Sequence, residues 1–135
     1  MKTKTFKLGD VLSVTTDRLV SENHIQGVYE ILNHMTGESL FTHALVRAGK
    51  VCKGPLCKAF PECDPDRNPF LRKALDALTV HLAQAVDKQV ELKKWLRQIR
   101  KEHPAFKEYY EVSALVEGTW KQIDPLTELA EMTAR

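Results

Sequence analysis

Residues 68–103, NPFLRKALDALTVHLAQAVDKQVELKKWLRQIRKEH, carry the longest periodic pattern in the chain, and their reading decides the fold. Asn68 is a favoured N-cap, and Pro69 is pre-organised for the first helical position. From there Leu71, Leu75, Leu78, Leu82, Ala85, Gln89, Leu92, Leu96 and Ile99 recur at alternating spacings of four and three. Such a seam is typical of coiled-coil-like packing. A continuous helix from Pro69 to Glu102 would run roughly 50 Å, whereas a compact domain of this size has a radius of gyration of about 14 Å. One long central helix is therefore expected to overhang its domain, to pair with a second copy as a homodimer through the Leu71 to Ile99 seam, or to break. An internal helix pair is the alternative cover for the seam. Asp87-Lys88-Gln89 is the place for a break, or for a polar residue that fixes register.

Working outward toward the N-terminus, Thr3 to Leu8 reads as a short strand, and Val11 to Thr16 as a short helix capped by Asp10, with a strand as the alternative that its β-branched residues favour. Ser21 has the marks of an N-cap, with Val20 and Ile25 placed for a hydrophobic staple. Ile25, Val28, Tyr29, Leu32 and Met35 then share one helical face, which Gly37 ends. Ser39 is positioned to cap a second helix through Leu40, Phe41, Ala44, Leu45 and Ala48, ended by Gly49. Residues 50–67, with Gly54, Pro55, Pro61 and Pro65, read as irregular, enclosing at most a helical turn from Pro55 to Phe60.

Toward the C-terminus, Pro104 closes the long element. Tyr109 to Val116 and Thr119 to Ile123 are rich in aromatic and β-branched residues around Glu117-Gly118, which predicts a hairpin. Asp124-Pro125 opens a last amphipathic helix with Leu126, Leu129 and Ala130. The expected class is α+β: mainly helical, with a small antiparallel sheet of the C-terminal hairpin plus the N-terminal strand, in one domain spanning 1–135.

The chain has 135 residues, and 20 basic against 18 acidic side chains give a formal net charge of +2. That balance excludes an acidic DNA mimic and a strongly basic nucleic-acid scavenger. It also conceals a partition. Residues 68–107 hold nine basic and four acidic groups, while residues 108–135 hold two and six. These segments either neutralise each other within the fold or leave the basic one as a binding face. No apolar run suggests a signal peptide or a membrane span, so a cytoplasmic protein without membrane association is expected.

The three cysteines, Cys52, Cys57 and Cys63, form an odd count outside any secretory context, which favours reduced thiols. With His43 as a fourth ligand they make a zinc site chemically possible. Their gaps are wider than the usual zinc knuckle, however, and packed thiols are favoured. No HExxH pair, phosphate loop, nucleophile elbow or kinase signature is present. Ser13, Thr15, Thr16 and Asp17 form a polar cluster beside Arg18 which, with His24, is all that motivates a small-molecule enzyme. No cofactor and no catalytic residue are expected.

The most suggestive chemistry lies on the second half of the long element. Lys93, Arg97 and Lys101 recur every four residues with Lys94 and Arg100 beside them, a basic stripe away from the seam. Such a stripe suits an acidic protein surface or the phosphates of a nucleic acid. Trp95 on the same turn is either a core residue or an interface anchor. The plain alternative is a solubilising face, partly neutralised by Glu91, Glu102 and the acidic C-terminal segment.

Leu8 to Thr16, Gly27 to Leu45 and Asp124 to Met132 resemble a family of small uncharacterised proteins of tailed phages and prophages. The resemblance covers the first third and the last tenth of the chain and implies provenance more than mechanism. By class it implies a non-enzymatic accessory protein that binds and blocks a host protein or nucleoprotein complex, an inhibitor of bacterial immunity of the anti-CRISPR type acting in the host cytoplasm. The alternative is a nucleic-acid-binding regulator or recombination accessory using the same stripe.

Overall fold

The computed structural model describes residues 2–133. Its elements run β1 (Thr3–Lys7), α1 (Leu8–Thr15), α2 (His24–Thr36), α3 (Leu45–Ala59), α4 (Pro69–Gln84), α5 (Lys88–Glu102), β2 (Tyr109–Ser113) and α6 (Pro125–Thr133), with single 3₁₀ turns at Thr42–Ala44 and Pro61–Cys63. The class is α+β, mainly helical with a two-stranded antiparallel sheet.

The centre of the molecule is α1, and not the long helix expected from the leucine seam. All eight of its residues are buried, and it packs against α2, α3 and the sheet. The helix is largely apolar, and the hydroxyls it buries bond back to carbonyls of its own preceding turn. Ser13 Oγ donates to Gly9 O at 2.7 Å and Thr15 Oγ1 to Leu12 O at 3.5 Å, while Thr16 Oγ1, just past the helix end, donates to Leu12 O at 2.6 Å.

The seam does not form one continuous helix. It breaks at Ala85-Val86-Asp87, and α4 and α5 fold against each other as a hairpin. Asp87 provides the reason: its Oδ1 accepts from Gln89 N at 3.0 Å and Val90 N at 3.2 Å, starting a new helix. The Trp95 indole then donates to Ala74 O at 2.9 Å, tying the two helices together. Leu71, Leu75, Leu78, Leu92, Leu96 and Ile99 consequently enter the core of the same chain.

Two boundaries near the N-terminus also differ from expectation. Ser21 forms a turn instead of a helix cap: its Oγ accepts from Asn23 N at 3.1 Å and its carbonyl from His24 N. The staple is absent, since Val20 is buried while Ile25 is 48% exposed. Accordingly α2 buries Gly27, Ile31, Leu32 and Met35, a face rotated from the predicted one, and Gly37 ends it with φ 76°. The second helix starts at Leu45 and continues through Gly49 and Pro55 to Ala59, because Ala48, Cys52 and Leu56 bury along one side.

The C-terminal hairpin does not form. β2 pairs with β1 alone, in the register Thr3↔Ser113 to Lys7↔Tyr109. Beyond it, Leu115 N donates to Met35 O at 2.9 Å, which draws the chain off the sheet. Residues 119–123 take no strand pairing; instead Trp120 stacks beneath Arg47, whose Cζ lies 3.9 Å from the ring centroid. The final helix opens as expected, with Asp124 Oδ2 accepting from Thr127 N at 3.1 Å.

Candidate functional site

The cationic stripe is carried by α5. Leu92, Trp95, Leu96 and Ile99 anchor one side of this helix in the core, so successive residues, turning about 100° each, carry the cations to the other side. Arg100, Lys93, Arg97, Lys101 and Lys94 then occupy an arc of roughly 120° opposite the anchor. Lys93, Lys94, Arg97 and Lys101 are exposed, and Arg100 is half-buried.

Only Lys94 of the five is paired among the described residues, with Glu91 at 3.8 Å. Glu102 instead accepts from Gln98 at 2.8 Å. Of the acidic C-terminal segment, Glu128 is engaged elsewhere as well. Glu128 of α6 binds Arg47 Nε at 2.6 Å and lies 3.7 Å from His43 Nε2. Among the described residues, intramolecular neutralisation of the ridge is thus confined to its Glu91 flank, and Lys93, Arg97 and Lys101 face outward at four-residue spacing with half-buried Arg100 beside them.

The structure does not assemble the other sequence candidates into a site. Asp17 pairs with Lys53 at 2.7 Å, and Arg18 reaches α4, donating to Thr79 Oγ1 at 2.6 Å and Leu75 O at 3.2 Å. His24 Nδ1 meets Gln89 Nε2 at 3.1 Å. Cys52 and Cys63 lie in the apolar core, where burial pushes both thiols up to about 12. Half-buried Cys57 is also shifted upward by burial. His43 faces Glu128, and no group of three or more His, Cys, Asp or Glu side chains is arranged to hold a metal among the described residues.

Two features escaped sequence reasoning. One is the polar knot of Asp10, Ser21 and Gly27, in which Ser21 Oγ donates to Asp10 Oδ1 at 2.5 Å inside the core. The partners are far enough apart in sequence that no local spacing announces them. The other is a groove of about 570 Å³ among α1, α2 and α3, with Leu19, Ile25 and Val46 exposed at its rim. Its one sequence signal is Ile25, whose spacing from Val20 suits a staple but which faces solvent at the groove rim.

A family described as a domain of unknown function (DUF7736) matches residues 6–66, which take in the end of β1, all of α1 to α3, and the groove between those helices. The ridge of α5 and the whole of α6 lie outside that match. No curated protein and no solved structure matches the chain. No helix among the described residues is long and apolar enough to cross a membrane.

Proposed function

We propose that this chain is a non-enzymatic binding protein that occludes a functional surface of a host protein or nucleoprotein complex, with the α5 ridge as its contact face. The observation that carries this reading is the outward display of Lys93, Arg97 and Lys101, beside half-buried Arg100, without ion-pair partners among the described residues. A packed helix fixes the backbone spacing of these cations before binding, and their field steers an anionic partner into register. The resemblance to small tailed-phage and prophage proteins supports the finer assignment, an accessory protein acting in the bacterial cytoplasm against host immunity as anti-CRISPR inhibitors do.

The test is capture of partners from a bacterial host, followed by mass spectrometry, using the natural chain and the triple variant Lys93→Glu, Arg97→Glu, Lys101→Glu. Reversal is expected to slow association by about tenfold or more and to remove most of its salt dependence. Unchanged capture by the folded variant refutes the assignment. A nucleic-acid partner is the second reading, favoured by the same unpaired cations. It requires a steep fall in affinity with salt in a gel-shift titration, because each phosphate contact releases counterions.

A further inference from the structure

The outer edge of β2 is open, and the hydrogen-bond parity of the sheet shows which groups it presents. Leu8 N donates to Glu108 O at 3.1 Å, and Ala114 N to Lys2 O at 2.9 Å, one bond at each end of the ladder. Bonded pairs in an antiparallel ladder recur at every second residue. Tyr110 and Val112 therefore direct their backbone groups toward β1, and Tyr109, Glu111 and Ser113 direct theirs away from it. Leu115 has the same parity as Glu111 and Ser113, and its N–H indeed leaves the sheet to reach Met35 O. Among the described residues no third strand takes the backbone groups of Glu111 and Ser113, and both residues are exposed.

Beside this edge is a cavity of about 300 Å³ walled by Met35, Leu56, Ala59, Phe60, Val112 and Leu115. Glu111 is the one charged side chain lining it. From Glu108 to Trp120 the chain has three glutamates and no lysine, arginine or histidine. An open strand edge, an apolar pocket and an acidic border together fit one kind of occupant.

We infer that the outer edge of β2 docks an extended, lysine- or arginine-bearing peptide segment of a partner protein, which adds a third strand and seats one apolar side chain in the adjoining cavity. Main-chain bonds to Glu111 and Ser113 supply affinity, the pocket selects the side chain, and Glu111 selects the charge. The strand already accepted on the inner edge has this chemistry, with Lys4 and Lys7 flanking Phe6. A second copy suits the site less well. Its β1 has Phe6 buried in its own core, and its β2 would bring a second Glu111 to an acidic edge. The inference is independent of the α5 ridge, which takes partners of the opposite charge.

The test titrates the whole chain with a short labelled peptide alternating lysine and leucine, read by fluorescence anisotropy. Two counterparts are run beside it, one N-methylated on alternate backbone amides and one with glutamate for lysine. Saturable binding of the first is expected, with a loss of about tenfold or more for each counterpart, in line with one or two missing hydrogen bonds or a reversed charge. Ser113→Pro removes only an outward N–H, a change that edge strands tolerate, and is expected to weaken binding to a similar extent with an unchanged circular dichroism spectrum. Should that variant unfold, Ala59→Phe, which fills the pocket, and Glu111→Lys replace it, each with the same expected loss. No binding of the lysine–leucine peptide, equal binding of the N-methylated peptide, or indifference to the folded variants overturns the inference. Concentration-dependent self-association in light scattering that Glu111→Lys alters assigns the edge to a second copy and also overturns it.

Discussion

Asp10, Ser21 and Gly27 show how closely the centre of the molecule is packed at the residue scale. A Cβ at Gly27 would fall inside contact distance of both Ser21 Oγ and Asp10 Oδ1. Gly27→Ala is thus expected to lower stability by about 2 kcal/mol in urea unfolding, the scale of overpacking a tight core. Asp10 itself is buried, and desolvation raises its carboxyl above the ordinary value of 3.8 despite the Ser21 hydrogen bond. A carboxyl with a raised folded-state pKa binds protons preferentially when folded, so its contribution grows as pH falls through that pKa. Relative to Asp10→Asn, the natural chain should gain stability as pH is lowered from neutrality toward 3.8. A constant difference between the two unfolding curves across that range would contradict this.

At the scale of elements, the clearest lesson is the division of the leucine seam into α4 and α5. The period of the seam was legible in the sequence, as was the weak point near Asp87, because caps and periodicity are local signals. Whether the break occurs was not legible. It depends on the seam finding its partner within the chain, and the Trp95 to Ala74 bond that records this joins residues 21 apart, across the two arms of the hairpin. The same distinction explains the missing C-terminal hairpin: the residues at 119–123 have strand propensity, but Arg47 and Glu38 claim Trp120 from other elements. The α5 ridge was fully legible because amphipathic spacing places it, whereas the edge of β2 emerged only from pairing register. Asp87→Ala is expected to cost about 1 kcal/mol through the lost cap, measured by thermal unfolding. The hairpin should persist, since Leu71, Leu75, Leu92 and Leu96 remain buried.

Across the whole molecule, α6 is held differently from the rest. Leu126, Leu129 and Met132 are all at least 44% exposed, and Glu128 is its buried residue. Its attachment consists chiefly of Glu128 with Arg47 and His43, next to the Arg47–Trp120 stack. Glu128→Ala is therefore expected to lower the local opening free energy of Pro125–Thr133 by about 1.5 kcal/mol, the worth of a charged hydrogen bond. Hydrogen exchange would read this as lost protection in α6 with α4 and α5 unaffected; uniform loss throughout would show that α6 supports the core.

The pairing of β1 with β2 also orders events in time. Lys7 and Tyr109 are partners across almost the whole chain, a loop of roughly a hundred residues whose closure entropy must be met before the ladder returns any stability. The helices between them make nearer contacts and can assemble first. The sheet then acts as a clasp over α1, and on a nascent chain β1, with Phe6, waits unpaired until the five helices and Tyr109–Ser113 have been made.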